Sequence, residues 1–224
     1  MIRRSVRLKD RCLLFFVKNP ERGKVKSRLA ADIGDESAVR LYKGLVTRML
    51  STLKGGTFPL YICFFPETAW KPIENWLGKK YRYIPQNGKD LGERMRNSFI
   101  DGFTMGHKRV VLIGSDIPDL PIKYIEEAFE SLREMDAVIG PAYDGGYYLI
   151  GFKDKTFSPQ VFEGIAWGTK SVFDETMKKL RRFRRAVHTL PRLRDIDTVE
   201  DLRKLSNFRS PLSQKEGGGG VRKI

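Results

Sequence analysis

Three unbroken apolar runs stand out along the chain: Cys12–Val17 (CLLFFV), Leu60–Phe65 (LYICFF) and Arg109–Ile113 (RVVLI). Each is too short for a buried helix and is bounded by polar loops, which is the pattern of a strand buried on both faces. The segments between them change period. Within Asp35–Lys54 the apolar positions are Ala38, Leu41, Tyr42, Leu45, Val46, Met49, Leu50 and Leu53, a helical stripe with Asp35 as its cap and Gly55-Gly56 as its stop. Asp90–Met105 repeats the stripe through Leu91, Met95, Phe99 and Phe103, and Pro121–Glu134 opens on a proline suited to a first helical turn. Weaker signals predict a helix over Trp70–Leu77 and a strand over Tyr81–Ile84. Beyond Glu134 the pattern predicts strands over Ala137–Ile139 and Tyr147–Phe152, a helix over Thr169–Phe183, a strand over Ala186–Leu190 and a last helix over Val199–Leu205. Strands alternating with helices predict an open, mostly parallel sheet covered on both faces. The two strands flanking Gly145-Gly146 are too close for a crossover, so one member should be antiparallel.

Length and composition narrow the picture. The chain of 224 residues suits one sizeable domain, expected over residues 1–210. Residues 211–224, with four consecutive glycines, have nothing to bury and are expected to be a disordered tail. No run approaches the roughly 20 apolar residues of a membrane span, and the charged start lacks the apolar stretch of a secretory signal, so the cytoplasm is the expected location. Cys12 and Cys63 lie inside apolar runs and read as buried hydrophobes without metal-ligand spacing. His107 and His188 read as structural or exposed. The formal charge of +15 predicts attraction to an anion without saying which.

Candidate chemistry gathers where the strands end. Gly114-Ser115-Asp116-Ile117-Pro118 follows the strand Arg109–Ile113, and Pro118 forces the chain to turn just beyond the carboxylate. Asp116 is therefore a metal-ligand candidate, although an aspartate ahead of a proline is also an ordinary turn former. After the first strand comes Phe16–Leu29 (FVKNPERGKVKSRL), where Gly23 allows close backbone approach and Lys18, Lys24, Lys26 and Arg28 supply charge for phosphate. The spacing is neither that of a P-loop nor that of a dinucleotide fingerprint. Asp195 and Asp197, two apart, share a face if extended, while Thr198, Glu200 and Asp201 look like a helix start. The turn Gly140–Tyr148 (GPAYDGGYY) holds more glycine than a hairpin needs, so Asp144 is a candidate contact to a ligand hydroxyl or to the metal. Trp167-Gly168-Thr169 either walls the same pocket or packs on the sheet.

Five segments in order, FVKNPERGKVKSRL, QNGKDLGERM (Gln86–Met95), IGSDIPDLP, GPAYDGGYYLIG and DIDTVEDL, resemble the nucleotide-diphospho-sugar transferase superfamily. Within it they are most similar to the DUF2064 group, related to molybdopterin cofactor and phospholactate guanylyltransferases. The resemblance implies a single three-layer α/β/α domain of the GT-A, Rossmann-like type with a mixed, mostly parallel sheet. It implies that Gly23, Lys24, Lys26 and Arg28 face nucleotide phosphates, that Gly88, Leu91, Gly92 and Arg94 form a nucleotide-side loop with Ser115 nearby, and that Asp144 lies on the acceptor side. Asp116 and Asp197 would hold Mg2+ or Mn2+. Two features depart from common patterns: the first loop lacks the Gly-x-Gly form, and the central motif is Asp-x-Pro rather than Asp-x-Asp.

The favoured reaction is transfer of a nucleotidyl group from a nucleoside triphosphate to a phosphorylated small acceptor, with Lys24, Lys26, Arg28, Asp116 and Asp144 as its catalytic side chains. A phosphate acceptor is already ionised and needs no general base. The alternative is glycosyl transfer from a nucleotide-sugar to a hydroxyl acceptor, with Asp144 as base. A remoter alternative is nucleic-acid binding through the cationic run Lys178–Arg185 (KKLRRFRR), whose plainer reading is the solvated end of a surface helix.

Overall fold

A computed structural model of the protein describes residues 10–204. Seven strands form one sheet in the order β3-β2-β1-β4-β6-β5-β7. They are β1 (Arg11–Lys18), β2 (Leu60–Phe65), β3 (Arg82–Pro85), β4 (Arg109–Ile113), β5 (Ala137–Pro141), β6 (Tyr147–Lys153) and β7 (Val187–Thr189). All pairings are parallel except those of β6, which runs antiparallel to both β4 and β5. The hairpin around Gly145-Gly146 is thus the source of the one reversed strand.

Helices cover both faces: α1 (Ser27–Ile33), α2 (Asp35–Leu53), α3 (Trp70–Leu77), α4 (Leu91–Thr104), α5 (Ile122–Ser131), α6 (Val172–Arg182) and α7 (Val199–Lys204). The period of two along β1 sorts the core into layers. Leu13, Phe15 and Val17 pack with Tyr42, Val46 and Met49 of α2 and with Ile125 and Phe129 of α5. Cys12, Leu14 and Phe16 pack on the other face with Met95 and Phe99 of α4 and Leu180 of α6. Phe99 meets Phe152 edge-on at 5.1 Å and lies near-parallel to Phe162 at 5.8 Å. Burying one such side chain contributes about 2–3 kcal/mol, so α4 has a stiff seat. A smaller cluster of Leu29, Leu41, Leu45 and Ile196 joins α1 and α2 to the late Asp195–Asp197 segment.

The structure corrects several boundaries. A separate helix, α1, begins at the end of the first loop and fills the stretch up to Gly34, where no element was expected. Asp35 is the first residue of α2 rather than its cap; Gly34, at φ 81°, stands at the cap position and offers no side chain. Pro121 occupies the cap of α5, one residue before the helix, and α5 ends at Ser131. The stretch before α6 stays irregular because its hydroxyls are otherwise engaged: Thr169 Oγ1 donates to the Ala166 carbonyl at 2.7 Å and Ser171 Oγ to Glu175 at 2.6 Å. The expected tail over residues 211–224 lies outside the described residues. No helix among those described is long and apolar enough to cross a membrane.

Topology places the site. From β1 the chain winds outward through β2 and β3, then returns to lay β4 on the other side of β1. The carboxyl ends of β1 and β4 therefore flank a topological switch point, where open α/β sheets bind ligands.

Candidate active site

A cleft of about 1020 Å³ opens at that switch point. Its walls include Lys18, Lys26 and Arg28 from the first loop, Ser115 and Asp116 after β4, Asp144 from the hairpin, and Asp195 and Asp197 before α7. Lys26 links two of these carboxylates. The side chain is only 4% exposed, and Nζ lies 2.5 Å from Asp116 Oδ1 and 3.0 Å from Asp197 Oδ1. It also donates to the Ile196 carbonyl at 2.5 Å. The backbone of Lys26 is left-handed, φ 50° and ψ 47°. A non-glycine residue in that region costs about 1 kcal/mol or more and persists only where surrounding contacts dictate it. Burial works against the ammonium charge, but Asp116 and Asp197 outweigh it and raise the Lys26 pKa.

The neighbouring groups fix this cluster. Ile196 N donates to the Asp116 carbonyl at 3.0 Å, tying the late segment to the β4 loop. Asp201 Oδ2 accepts from Asp197 N, Thr198 N and Thr198 Oγ1 at 3.2, 3.0 and 2.8 Å, so the helix start read in the sequence also anchors Asp197. Tyr42 reaches across from α2: its hydroxyl accepts from Lys18 N at 2.8 Å and shares a 3.2 Å hydrogen bond with Ser115 Oγ. Burial pushes its pKa up to about 12, keeping the phenol neutral. Burial also raises Asp195, to about 6, with Asp144 and Asp197 adding repulsion. Arg28 is 71% exposed and its pair with Asp197 spans 3.8 Å, a loose contact that leaves the guanidinium available.

Asp116 and Asp197 aim carboxylate oxygens at one point, and a cation already stands there in the form of the Lys26 ammonium. Hard oxygen donors of this kind suit Mg2+ or Mn2+. Among the described residues no group of three or more His, Cys, Asp or Glu gathers as a metal cage. A divalent ion would thus draw its remaining donors from phosphate oxygens and water, the usual habit of Mg2+.

Other expected site residues fall differently. Leu91, Arg94 and Trp167 line the cleft with Gln86 and Met95. Gly23 and Lys24 are exposed and outside the lining, so Lys24 does not join Lys26 and Arg28 there. Gly88 and Gly92 are also off the lining, and their close contacts are to the chain itself. A Cβ on Gly88 would lie 2.7 Å from Arg94 N, and one on Gly92 would lie 2.6 Å from the Trp167 ring. Trp167 walls the cleft, and its ring packs against Gly92 of α4. Asp119, just past the turn that carries Asp116, pairs with Arg48 of α2. His107 shares a 3.1 Å hydrogen bond with the Tyr61 hydroxyl, and His188 one of 2.8 Å with Glu127, both away from the cleft. The cationic run ends α6, where Lys179, Arg181 and Arg182 form the last turn and Arg185 donates to Ser158 Oγ at 2.8 Å.

The hairpin glycines have an internal cause as well. Gly145 is at φ 93°, and a Cβ there would lie 2.2 Å from the Lys170 carbonyl oxygen. Its own carbonyl accepts from Phe173 N at 2.9 Å, so the hairpin is clasped by the segment entering α6. Asp144 Oδ1 accepts from Gly146 N at 2.8 Å, which holds its carboxylate at the mouth of the cleft. Gly145→Val should cost about 2–4 kcal/mol through strain and overpacking. For a chain of this size that is a drop of roughly 5–15 °C in Tm, checked by calorimetry.

The fold and cleft define a class, and comparison with known proteins agrees. A protein from Desulfovibrio desulfuricans G20 assigned as a nucleotide-diphospho-sugar transferase is 46% identical, covering 91% of this chain and 92% of its own, with a TM-score of 0.84. The 2-phospho-L-lactate guanylyltransferase of Methanocaldococcus jannaschii is 25% identical over 178 residues, 80% of this chain and 75% of that protein. The manganese complex of Rv0371c from Mycobacterium tuberculosis H37Rv shares the fold at 14% identity, covering 88% of this chain and 97% of its own, with a TM-score of 0.52. The protein is an enzyme of the transferase class, within a superfamily that transfers nucleotidyl or glycosyl groups. The family described as "Uncharacterized protein conserved in bacteria (DUF2064)" matches residues 49–169, and the chain belongs to it.

Proposed function

We propose that the protein transfers a nucleotidyl group from a nucleoside triphosphate to a phosphorylated small molecule and releases pyrophosphate. The observation behind this reading is the Lys26 ammonium held between Asp116 and Asp197 at the switch point of the sheet. Carboxylates interleaved with cations suit a polyphosphate with a bound divalent ion better than a neutral ligand. The guanylyltransferase relative gives the nucleoside triphosphate donor independent support. Asp116 and Asp197 would hold Mg2+ or Mn2+, which supplies charge neutralisation at the phosphate oxygens.

In this mechanism an oxygen of the acceptor phosphate forms a bond to the α-phosphorus as the bond to the β-phosphate bridging oxygen breaks. Lys26 and Arg28 stabilise charge on the departing pyrophosphate. Such fixed donors act more strongly in a cleft than in water. Lys26 exchanges its carboxylate partners for phosphate oxygens as the nucleotide seats. Ser115, held by Tyr42, keeps the loop after β4 in place. Asp144 and Tyr143 stand at the acceptor end, where Arg194 lies 4.8 Å from the Tyr143 ring centre and adds a cation suited to a phosphorylated acceptor.

Product analysis tests the reading. With Mg2+, a nucleoside triphosphate and a panel of phosphorylated acceptors, turnover should yield pyrophosphate. Free nucleoside diphosphate from a nucleotide-sugar, with no pyrophosphate from any triphosphate, would instead establish glycosyl transfer.

A further inference from the structure

The cationic run that ends α6 takes no part in the cleft. It lies at the opposite edge of the sheet, where the parallel strands begin. Backbone bonds lay this edge out: Lys108 N and Arg109 N donate to the Asp10 carbonyl at 2.8 and 3.0 Å, Asp154 N to the Lys108 carbonyl at 3.0 Å, and Asp136 N to the Ala186 carbonyl at 2.9 Å. The starts of β1, β4, β5 and β7 and the end of β6 thus share it with the ends of α4 and α6. β1 is 8 residues long, so the edge is about 25 Å from the cleft.

Arg181, Arg182 and Arg184 are exposed and make no ion pair among the described residues, and Lys108 and Lys155 stand exposed on the same edge. The carboxylates beside them are engaged within the fold: Asp136 pairs with Lys153 at 3.6 Å, and Asp154 Oδ1 accepts from Lys155 N at 2.7 Å. Residues 1–9, which lead into Asp10, hold Arg3, Arg4, Arg7 and Lys9 and no acidic residue. Cations do complement a helix C-terminus, but Arg184 exceeds that need. Arg185 N donates to the Leu180 carbonyl at 3.0 Å, which closes α6 with Arg184 in the left-handed position, φ 53°, that glycine usually fills. An arginine there costs stability, so its charge rather than its capping explains it.

The apolar groups among these cations identify the partner. Met105, at the end of α4, is 44% exposed. An alkyl side chain among guanidinium groups gains nothing from a phosphodiester backbone, but it is stabilised among acyl chains just below a layer of lipid phosphates. Phe103 and Phe183 are half-buried and packed into the core, Phe103 against Phe157 at 5.2 Å, which leaves neither free to stack on a nucleobase. We propose that this edge docks the protein on an anionic lipid bilayer, with Arg181, Arg182 and Arg184 on lipid phosphates and Met105 in the interface. Guanidinium groups suit phosphate oxygens through paired N–H donors. The cleft then faces away from the bilayer, and docking is independent of the reaction inside it.

Co-sedimentation of the intact chain with vesicles tests this. Phosphatidylcholine vesicles containing roughly a third phosphatidylglycerol should carry the protein down, and pure phosphatidylcholine vesicles should not. Arg181→Gln, Arg182→Gln and Arg184→Gly combined should weaken binding by about 100-fold, the summed effect of three cations at an anionic surface. Arg184→Gly alone should weaken it about fivefold while raising Tm by about 2–4 °C, because glycine relieves the cap. Met105→Gln should also loosen binding, with Tm unchanged. Equal sedimentation with neutral vesicles, or sedimentation with neither kind, would overturn the proposal. Full binding by the triple variant would do the same, as would a fall in Tm with unchanged binding in Arg184→Gly, which would make the run a helix cap. Tighter binding to duplex or single-stranded DNA than to the anionic vesicles at equal salt would assign the edge to nucleic acid instead.

Discussion

Lys26→Met should lower turnover by about 100- to 1000-fold, the usual loss when one fixed donor to a developing oxyanion is removed. The fold should survive. The variant takes away a buried charge along with its desolvation penalty, and both carboxylates it leaves retain access to water: Asp116 is 50% exposed and Asp197 35%. A methionine fills nearly the same channel without the ammonium. Removing the cation has a second consequence. The point between the two carboxylates becomes vacant, so Mn2+ should bind Lys26→Met without nucleotide more tightly than it binds the wild type. Steady-state kinetics checks the first effect, and the electron paramagnetic resonance signal of free Mn2+ checks the second. Unchanged turnover, with Mn2+ binding no tighter, would mean that Lys26 is a structural brace.

Much of the fold was legible because the strands are buried on both faces and so read as continuous apolar runs. Leu60–Phe65 and Arg109–Ile113 match β2 and β4 residue for residue. The order of elements followed, and with it the switch point. What escaped was set by contacts distant in sequence. Helix α1 starts where the basic loop ends, in a stretch too short to show a period, and its apolar Leu29 makes sense only against Leu41, Leu45 and Ile196. The glycines at 88, 92 and 145 correctly signalled close approach, but the approaching atoms belong to Glu93 and Arg94, Trp167 and Lys170. Sequence offers no means of telling a ligand from the chain's own backbone. Tyr42 was read as one more apolar position on α2, although its hydroxyl ties Lys18 to Ser115. Gln86 lay within a recognised segment without being singled out. Its signal was position, a buried amide just past the end of a parallel strand.

Asp116→Asn should be the most damaging single change, lowering turnover by about a thousandfold. That corresponds to about 4 kcal/mol of lost charge stabilisation when a carboxylate ligand to a catalytic divalent ion becomes an amide. The substitution keeps size and hydrogen-bonding shape. Lys26 retains Asp197 and the Ile196 carbonyl, and the backbone bond from Ile196 N to the residue 116 carbonyl is untouched. Tm should therefore change little. Nucleotide affinity should fall and lose most of its dependence on Mg2+. Calorimetric titration with and without metal separates this outcome from simple unfolding.

The most direct test is isothermal titration of the intact wild-type chain with each of the four nucleoside triphosphates, in Mg2+ and again in excess chelator. At least one nucleotide should bind at least tenfold more tightly with the metal, since Asp116 and Asp197 repel polyphosphate until a divalent ion joins them to it. Equal affinity in chelator for the nucleotide that binds best, or binding of none, would contradict a metal-bridged nucleotide in this cleft.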